Sequence, residues 1–387
     1  MLTTLEPIVQ RLAELIQTNG WQDHFRRALA CAAQQQVAQI SHIRSLHDYL
    51  RYIDDMVRWA PRESGDSRLV HDKLVEFHFI LDQPPLRGLQ SPIEPSGRAQ
   101  PLTPLSQWMT DYAVAWGAYL DTTASARHVD SFRTNPAFRW DDYMPPPSGY
   151  QTFNQFFARH VRPGRRPVAE MGDDSIVVSP ADANFIGAWP VAADSSICVA
   201  EHRVDVKGLR WSIPQLLQGS PYAERFADGV FTHSALRTFD YHRWHAPVAG
   251  TVLEARIVQG QVWLDVVAVE ADVNGAKQNV LRALEGTGYQ FVQTRGLVVL
   301  GTPVGLVACL PVGMAQVSSV VITAEVGSRI RKGEELGYFQ FGGSDFVMVF
   351  ERDARLTLHC QPEQHFLQGA AVGHCAGAGR GGTGRGQ

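Results

Sequence analysis

Lysine is nearly absent from this chain: Lys73, Lys207, Lys277 and Lys332 are the whole set, and arginine supplies the rest of the 35 basic side chains. Few positions are therefore open to a Schiff-base lysine. Cysteine is scarce too. Cys31, Cys198, Cys309, Cys360 and Cys375 are scattered, with no Cys-x-x-Cys pair. That pattern argues against a disulfide framework or a zinc ribbon and fits a reducing compartment. No stretch approaches the roughly 18–20 uninterrupted apolar residues of a spanning helix. Glu6 stands ahead of any apolar run, and no signal-peptide core follows it. The expected location is cytoplasmic. A net charge of −4 gives no reason to expect nucleic acid as a partner.

What is present is ordinary globular material: 387 residues, 44% hydrophobic and 19% charged, enough for two domains. Residues 1–145 read as a helical domain. Ile8, Leu12, Leu15 and Ile16 share one face, and Ile40, Ile43, Leu46, Leu50, Ile53 and Val57 recur at helical steps. Pro61 closes that second helix. A third, Lys73 to Leu81, is stopped by Pro84-Pro85, and Trp108, Tyr112, Trp116 and Leu120 mark a fourth. The Pro145-Pro146-Pro147-Ser148-Gly149 run sets the domain boundary.

A short helix, Phe153 to His160, opens the second domain, 146–370. Short β-branched runs then alternate with Gly and Pro: Ile176-Val178, Thr251-Ile257, Val262-Val269, Leu297-Leu300, Val304-Leu310 and Val317-Thr323. The fold class expected is α+β, helical first and β-rich after. The segments Ala246–Val252 and Ala324–Gly337 have the wording of barrel-sandwich halves, as in biotinyl and lipoyl carriers. Lys277, the lysine between them, lacks a carrier setting. Residues 371–387, Gly/Arg-rich from Ala376, are expected to be a disordered tail.

Four stretches carry chemistry. The first is Phe153-Asn154-Gln155-Phe156-Phe157-Ala158-Arg159 with its tail Arg162-Pro163-Gly164-Arg165-Arg166-Pro167, read as either a phosphate-binding or a structural arginine loop. The second is Ser179-Pro180-Ala181-Asp182. The third is Asp240-Tyr241-His242-Arg243-Trp244-His245-Ala246-Pro247, whose two histidines have no third ligand at a fixed offset, so no metal site is expected. The fourth is Lys332 to Asp345, ending Phe341-Gly342-Gly343-Ser344-Asp345. Taken alone, Gly-Gly-Ser-Asp between two apolar strands is hairpin-turn chemistry.

In this order and wording, over roughly residues 150–355, the four resemble the phosphatidylserine decarboxylases and their relatives. The resemblance implies a self-made pyruvoyl cofactor and no pyridoxal phosphate. Ser344 would attack the carbonyl carbon of Gly343, and an N→O acyl shift would give an ester. β-Elimination would free the Gly343 carboxylate and leave dehydroalanine, which hydrolyses to a pyruvoyl group. The products would be Met1–Gly343 and a pyruvoyl-capped 344–387 chain. A serine needs an activating base and a group that orients it; the resemblance assigns these to His245 and Asp182. It assigns His242 a part in decarboxylation, where the pyruvoyl ketone forms an imine with the substrate amine.

Two departures stand out: Asp345 where the family usually has Thr or Ser, and Ala183-Asn184 where it usually has Gly. A carboxylate beside the nucleophile would either slow processing or act in it. The wording Leu310-Pro311-Val312-Gly313-Met314, with the helical N-terminal domain and the Pro-Ser-Gly-Tyr linker, is similar to the soluble branch that includes fungal L-tryptophan decarboxylases. That implies a free amino acid, such as tryptophan, as substrate. The alternatives are decarboxylation of phosphatidylserine, with a peripheral membrane contact, and an unprocessed, inactive relative.

Overall fold

Alternating helical faces with good caps build the first half of the chain. The computed structural model describes residues 5–65, 68–95, 101–198, 210–273, 275–283, 288–314, 319–341 and 343–377. Helix α1 (Pro7–Thr18) starts on a proline and buries Val9, Leu12 and Ile16. Helix α2 (Gln22–Gln34) buries Phe25, Ala28, Leu29 and Ala32. Helix α3 (Leu46–Val57) begins where the Ser45 hydroxyl accepts the Asp48 N–H. Ile40 belongs to a separate 3-10 turn, Ala38–Ile40, so the expected face from Ile40 to Val57 is broken by that cap. Pro84-Pro85 do stop α4 (Leu69–Leu81), but they also open a further turn, α5 (Pro84–Arg87). Helix α6 (Pro104–Leu120) is capped by Thr103, and 3-10 turns run on to Asp142. Helix α7 (Phe153–Phe157) is capped by Thr152 and stops short of the expected His160.

The second half is β1 (Ile176–Val178), β2 (Ala183–Pro190), β3 (Ser196–Cys198) and β4 (Arg210–Ser212), then α8 (Ile213–Leu217). It continues through β5 (Val230–Leu236), β6 (Arg243–His245), β7 (Gly250–Val258), β8 (Val266–Val273) and β9 (Ala276–Ala283). Next come β10 (Arg295–Thr302), β11 (Gly305–Met314), β12 (Val320–Ile322), β13 (Arg329–Ile330), β14 (Glu335–Phe339) and β15 (Gly343–Phe350). The last are β16 (Leu356–Leu358), β17 (His365–Phe366) and β18 (Ala371–Cys375). The architecture is α+β, as the sequence pattern predicts.

Among the described residues, eight strands form one antiparallel sheet in the order β13-β7-β10-β11-β15-β5-β2-β17. A small sheet, β12-β14-β6, lies over one face, where the Trp244 ring meets Phe346 at 6.0 Å between centroids. Phe291 covers the other face against Phe231 and His233. Strand β15 is covered on both faces, which is why Phe346-Val347-Met348-Val349-Phe350 reads as a continuous apolar run instead of an alternating one. The two barrel-sandwich-like segments meet at Arg329–Ile330 and Gly250–Thr251. The helical half joins at β8, where Asp82 accepts the Val266 N–H and Arg87 pairs with Asp265. One cluster of buried apolar side chains runs through both halves.

Three expectations are corrected. The Gly-Gly-Ser-Asp stretch is not a hairpin: β14 and β15 lie in different sheets, and the chain crosses from the small sheet to the large one there. Gly342 itself lies outside the described residues. The tail does not begin at 371, because Ala371–Cys375 pairs with β1 and β16 and buries Val372 and Cys375; residues 378–387 lie outside the described residues. The strand expected from Val262 begins at Val266.

Strand β14 holds β6 at close range. A Cβ on Gly337 would sit 2.2 Å from the Val321 carbonyl oxygen and 2.3 Å from the Trp244 ring. Gly337→Ala should therefore cost roughly 1–3 kcal/mol by overpacking, read as a lower urea midpoint with an unchanged slope.

Candidate active site

Ser344 is the second residue of β15, hydrogen-bonded in register between Gly313 of β11 and Leu236 of β5. It is 1% exposed. Successive side chains on a strand point to opposite faces, so Ser344 and Phe346 face the small sheet while Asp345 faces away. The Ser344 hydroxyl lies 3.2 Å from His242 Nδ1. The imidazole is fully buried and stacks on Phe157, with ring centroids 3.9 Å apart. The His242 main-chain carbonyl accepts the Phe339 N–H, tying it to strand β14, which precedes Ser344. Nε2 makes no hydrogen bond.

The two histidines do not share a face, and His242 lies just ahead of β6. His242 and Trp244 turn towards β15, whereas Arg243 and His245 turn the other way. His245 Nδ1 donates to the Gly333 carbonyl at 3.0 Å, which leaves Nε2 to accept from the Tyr241 hydroxyl at 3.1 Å. Among the described residues no hydrogen bond joins His245 to Ser344 or to Asp182. Asp182 is instead gripped by Arg166: Nε reaches Oδ1 at 2.8 Å and Nη2 reaches Oδ2 at 2.7 Å. The Gln368 N–H adds a third contact at 2.8 Å. Arg166 also reaches Asp142, so this part of the arginine loop is structural. Asp182 remains a neighbour of His245: the His245 N–H donates to the Pro180 carbonyl, and the Asp182 charge favours a proton on the His245 ring.

Burial pushes the His242 pKa down to about 3, with the Arg159 charge adding to the effect and the Arg237 and Thr238 carbonyls opposing it. Burial likewise pushes His245 down to about 4. Both rings are neutral near pH 7, which leaves a His242 lone pair open to the Ser344 hydroxyl. Burial opposes the charge on Arg166, but the Asp182 hydrogen bonds and charge outweigh it and hold the guanidinium protonated. Asp345 is accounted for on the far face, where its Oδ2 lies 2.9 Å from His233 Nε2. Its carboxylate is thus turned away from the nucleophile.

A cavity of about 670 Å³ borders this site, within the size range of small-molecule pockets. Its walls include Met144 and the three prolines, Tyr150, Arg243, Tyr338 and Gln340.

These elements coincide with a family pattern. Residues 153–374 match the family model described as phosphatidylserine decarboxylase. The chain belongs to the phosphatidylserine decarboxylase family. It is 29% identical over 238 residues to phosphatidylserine decarboxylase proenzyme 3 of Schizosaccharomyces pombe, covering 61% of this chain but 22% of that one. It is 30% identical over 272 residues to decarboxylase iboD of Amanita muscaria, covering 63% of this chain and 76% of that one. The phosphatidylserine decarboxylase proenzyme of Fusobacterium nucleatum is 27% identical over 250 residues, covering 64% and 74%. The chain therefore spans about a fifth of some relatives and three quarters of others. Among the described residues no helix is long and apolar enough to cross a membrane.

The sequence missed the parts of the site that only folding brings together. Gln368 and His233 carry no spacing signal towards their partners, whereas Tyr241 sits in the third motif four residues from His245. Asn154 too is marked: it sits in the first motif, and its Oδ1 accepts the Phe341 N–H at 3.1 Å while its Nδ2 donates to Asp121.

The Ser344 hydroxyl hydrogen-bonds His242 and not His245. His242→Gln should slow cleavage about 100-fold or more, and His245→Gln should slow it less, both timed by denaturing gel. The reverse order would mean that the site rearranges before it cuts. A second expectation concerns pH. An unfolded histidine takes up a proton near pH 6.5, whereas folded His242 and His245 refuse it until about 3 and 4. Stability is thus fully present above pH 6.5 and falls on acidification, by roughly 2 kcal/mol per histidine between pH 7 and 5. Urea unfolding of the Ser344→Ala chain at both pH values should show the loss, and adding His242→Gln should remove one share.

Proposed function

We propose that this chain is the precursor of a pyruvoyl-dependent carboxy-lyase that cuts itself between Gly343 and Ser344 and then removes the α-carboxylate of a free amino acid. The observation that carries the proposal is the buried Ser344 hydroxyl at 3.2 Å from a neutral His242, with glycine on its carbonyl side. Glycine at 343 leaves no Cβ to obstruct the attack.

The residues fit the group they would make. Position 344 is held by strand neighbours on both sides, and His242 Nε2 is buried without a partner. The pyruvoyl ketone would supply an electron sink for the pair released as CO₂ leaves. His242 would hold and deliver protons at position 344, with Phe157 fixing its ring. His245, whose basic Nε2 faces the Tyr241 hydroxyl, and Asp182 with Arg166 would form a second, supporting tier. The inactive reading loses its main support because Asp345 is bonded to His233 on the opposite face.

The free amino acid is favoured by the branch wording of residues 310–320 and by a cavity whose cations are already engaged: Glu335 takes Arg243 with both oxygens, at 2.7 and 2.8 Å. The names of most relatives favour phosphatidylserine as the second reading.

Gel and intact mass should show two chains for the wild type, the smaller carrying a pyruvoyl cap, and one for Ser344→Ala. CO₂ should be released from L-tryptophan and not from phosphatidylserine vesicles. Turnover of the vesicles alone would select the lipid reading, and an uncut wild-type chain would overturn both.

A further inference from the structure

The segment that delivers His242 is closed on itself before it reaches β6. The Asp240 N–H donates to the Arg237 carbonyl at 3.0 Å, and the Arg237 N–H donates to Asp240 Oδ2 at 2.7 Å. Residues 237–240 thus form a turn locked by main chain and side chain together. Arg159 grips it as well, with Nη2 donating to the Phe239 and Asp240 carbonyls at 2.8 and 3.2 Å. Asp240 is 5% exposed, and its other oxygen, Oδ1, lies 2.9 Å from His365 Nε2. His365 belongs to β17, in the stretch that begins at Ser344, and pairs with Asn184 of β2.

The turn bears on the state of the His242 ring. A neutral imidazole carries its hydrogen on one nitrogen and accepts at the other, and the groups around the ring decide which. Ser344 is met at Nδ1, 3.2 Å away, so a lone pair faces it only when the hydrogen sits on Nε2. Nε2 is buried and completes no hydrogen bond of its own among the described residues. Phe157 stacks on the ring face, so polar groups reach the ring at its edge. The carbonyls of Arg237 and Thr238, both from the turn, favour a proton on this ring against burial and the Arg159 charge. They are the groups placed to keep the hydrogen on the nitrogen turned from Ser344.

Resting on the self-cleavage reading above, we propose that Asp240 and His365 are positioning residues that hold the His242 hydrogen on Nε2 and so keep the Nδ1 lone pair facing Ser344. Asp240 acts by fixing the 237–240 turn, and His365 acts by fixing the second oxygen of Asp240. The stretch that supplies the nucleophile thereby also supplies a brace for the base opposite it. A pair that only strengthened the fold would change stability and leave the tautomer alone.

The tautomer is read from nitrogen-15 signals of labelled histidine in the Ser344→Ala chain, where no serine hydroxyl biases the ring. The His242 signals are identified by their loss in His242→Gln. The hydrogen should sit on Nε2, and adding Asp240→Ala or His365→Leu should populate both tautomers. With Ser344 in place, cleavage is timed by gel in a cell-free translation reaction. It should slow about tenfold or more in Asp240→Ala, and by a smaller factor in His365→Leu. The His365 side chain is 30% exposed, so its variants fold and decide the matter even where Asp240→Ala does not. His365→Gln, whose amide can donate to the same oxygen, should restore both tautomer and rate. A hydrogen on Nδ1 in the Ser344→Ala chain, or a His365→Leu chain with unchanged tautomer or unchanged cleavage, overturns the assignment. If the wild type stays uncut while the tautomer shifts as stated, the self-cleavage reading has failed and the positioning role stands.

Discussion

A hydroxyl on a central strand, turned into a closed interior, must have a partner, because an unsatisfied buried polar group costs about 1–3 kcal/mol. For Ser344 that partner is His242, and much of the second half of the fold serves to bring them together. Strand β15 is fixed between β11 and β5, so Ser344 cannot shift without slipping the register of the largest sheet. His242 is fixed by the Phe339 N–H on one side and the Phe157 ring on the other. The helical half contributes through Trp116 and Asp121, which hold Phe341 and Asn154.

A second layer of constraint is the Arg166–Asp182 pair, whose side chains are 2% and 3% exposed. A buried ion pair of this kind is weak evidence for stability, but breaking it strands a charge. It locks the arginine loop, the Ser179–Asp182 segment and the backbone at Gln368 into one unit. The Pro180 carbonyl in that unit accepts the His245 N–H, so the loop positions β6 and, through it, both histidines.

The class of fold and the four chemical stretches were legible in the sequence because each is local. Apolar spacing marks α1 and α6, β-branched runs mark β7 and β10, and the Ser344 and His242 segments stand out by composition. Their mutual arrangement was not legible. The reading that made His245 the base for Ser344 could not see that folding sets His242, just ahead of β6, within hydrogen-bond distance of Ser344 instead. The turn reading of Gly342–Asp345 failed because glycine followed by serine suits a sheet-to-sheet crossing as well as a hairpin. Asp345 looked like a burden on the nucleophile until β5 placed His233 diagonally across from it on the far face. The Arg87–Asp265 and Asp82–Val266 contacts join residues nearly two hundred positions apart, and no window along the chain can register them.

The position of β15 has one more consequence. In the proposed mature form, the residue that begins the small chain is not a loose end. It is clasped on both edges within an eight-stranded sheet, while β17 and β18 of the same piece are woven into β2 and β1. A prosthetic group made there would have no dissociation constant. It could be neither borrowed from a pool, nor lost by dilution, nor replaced once spent, so each molecule would commit to its chemistry once, at birth, for as long as it stays folded.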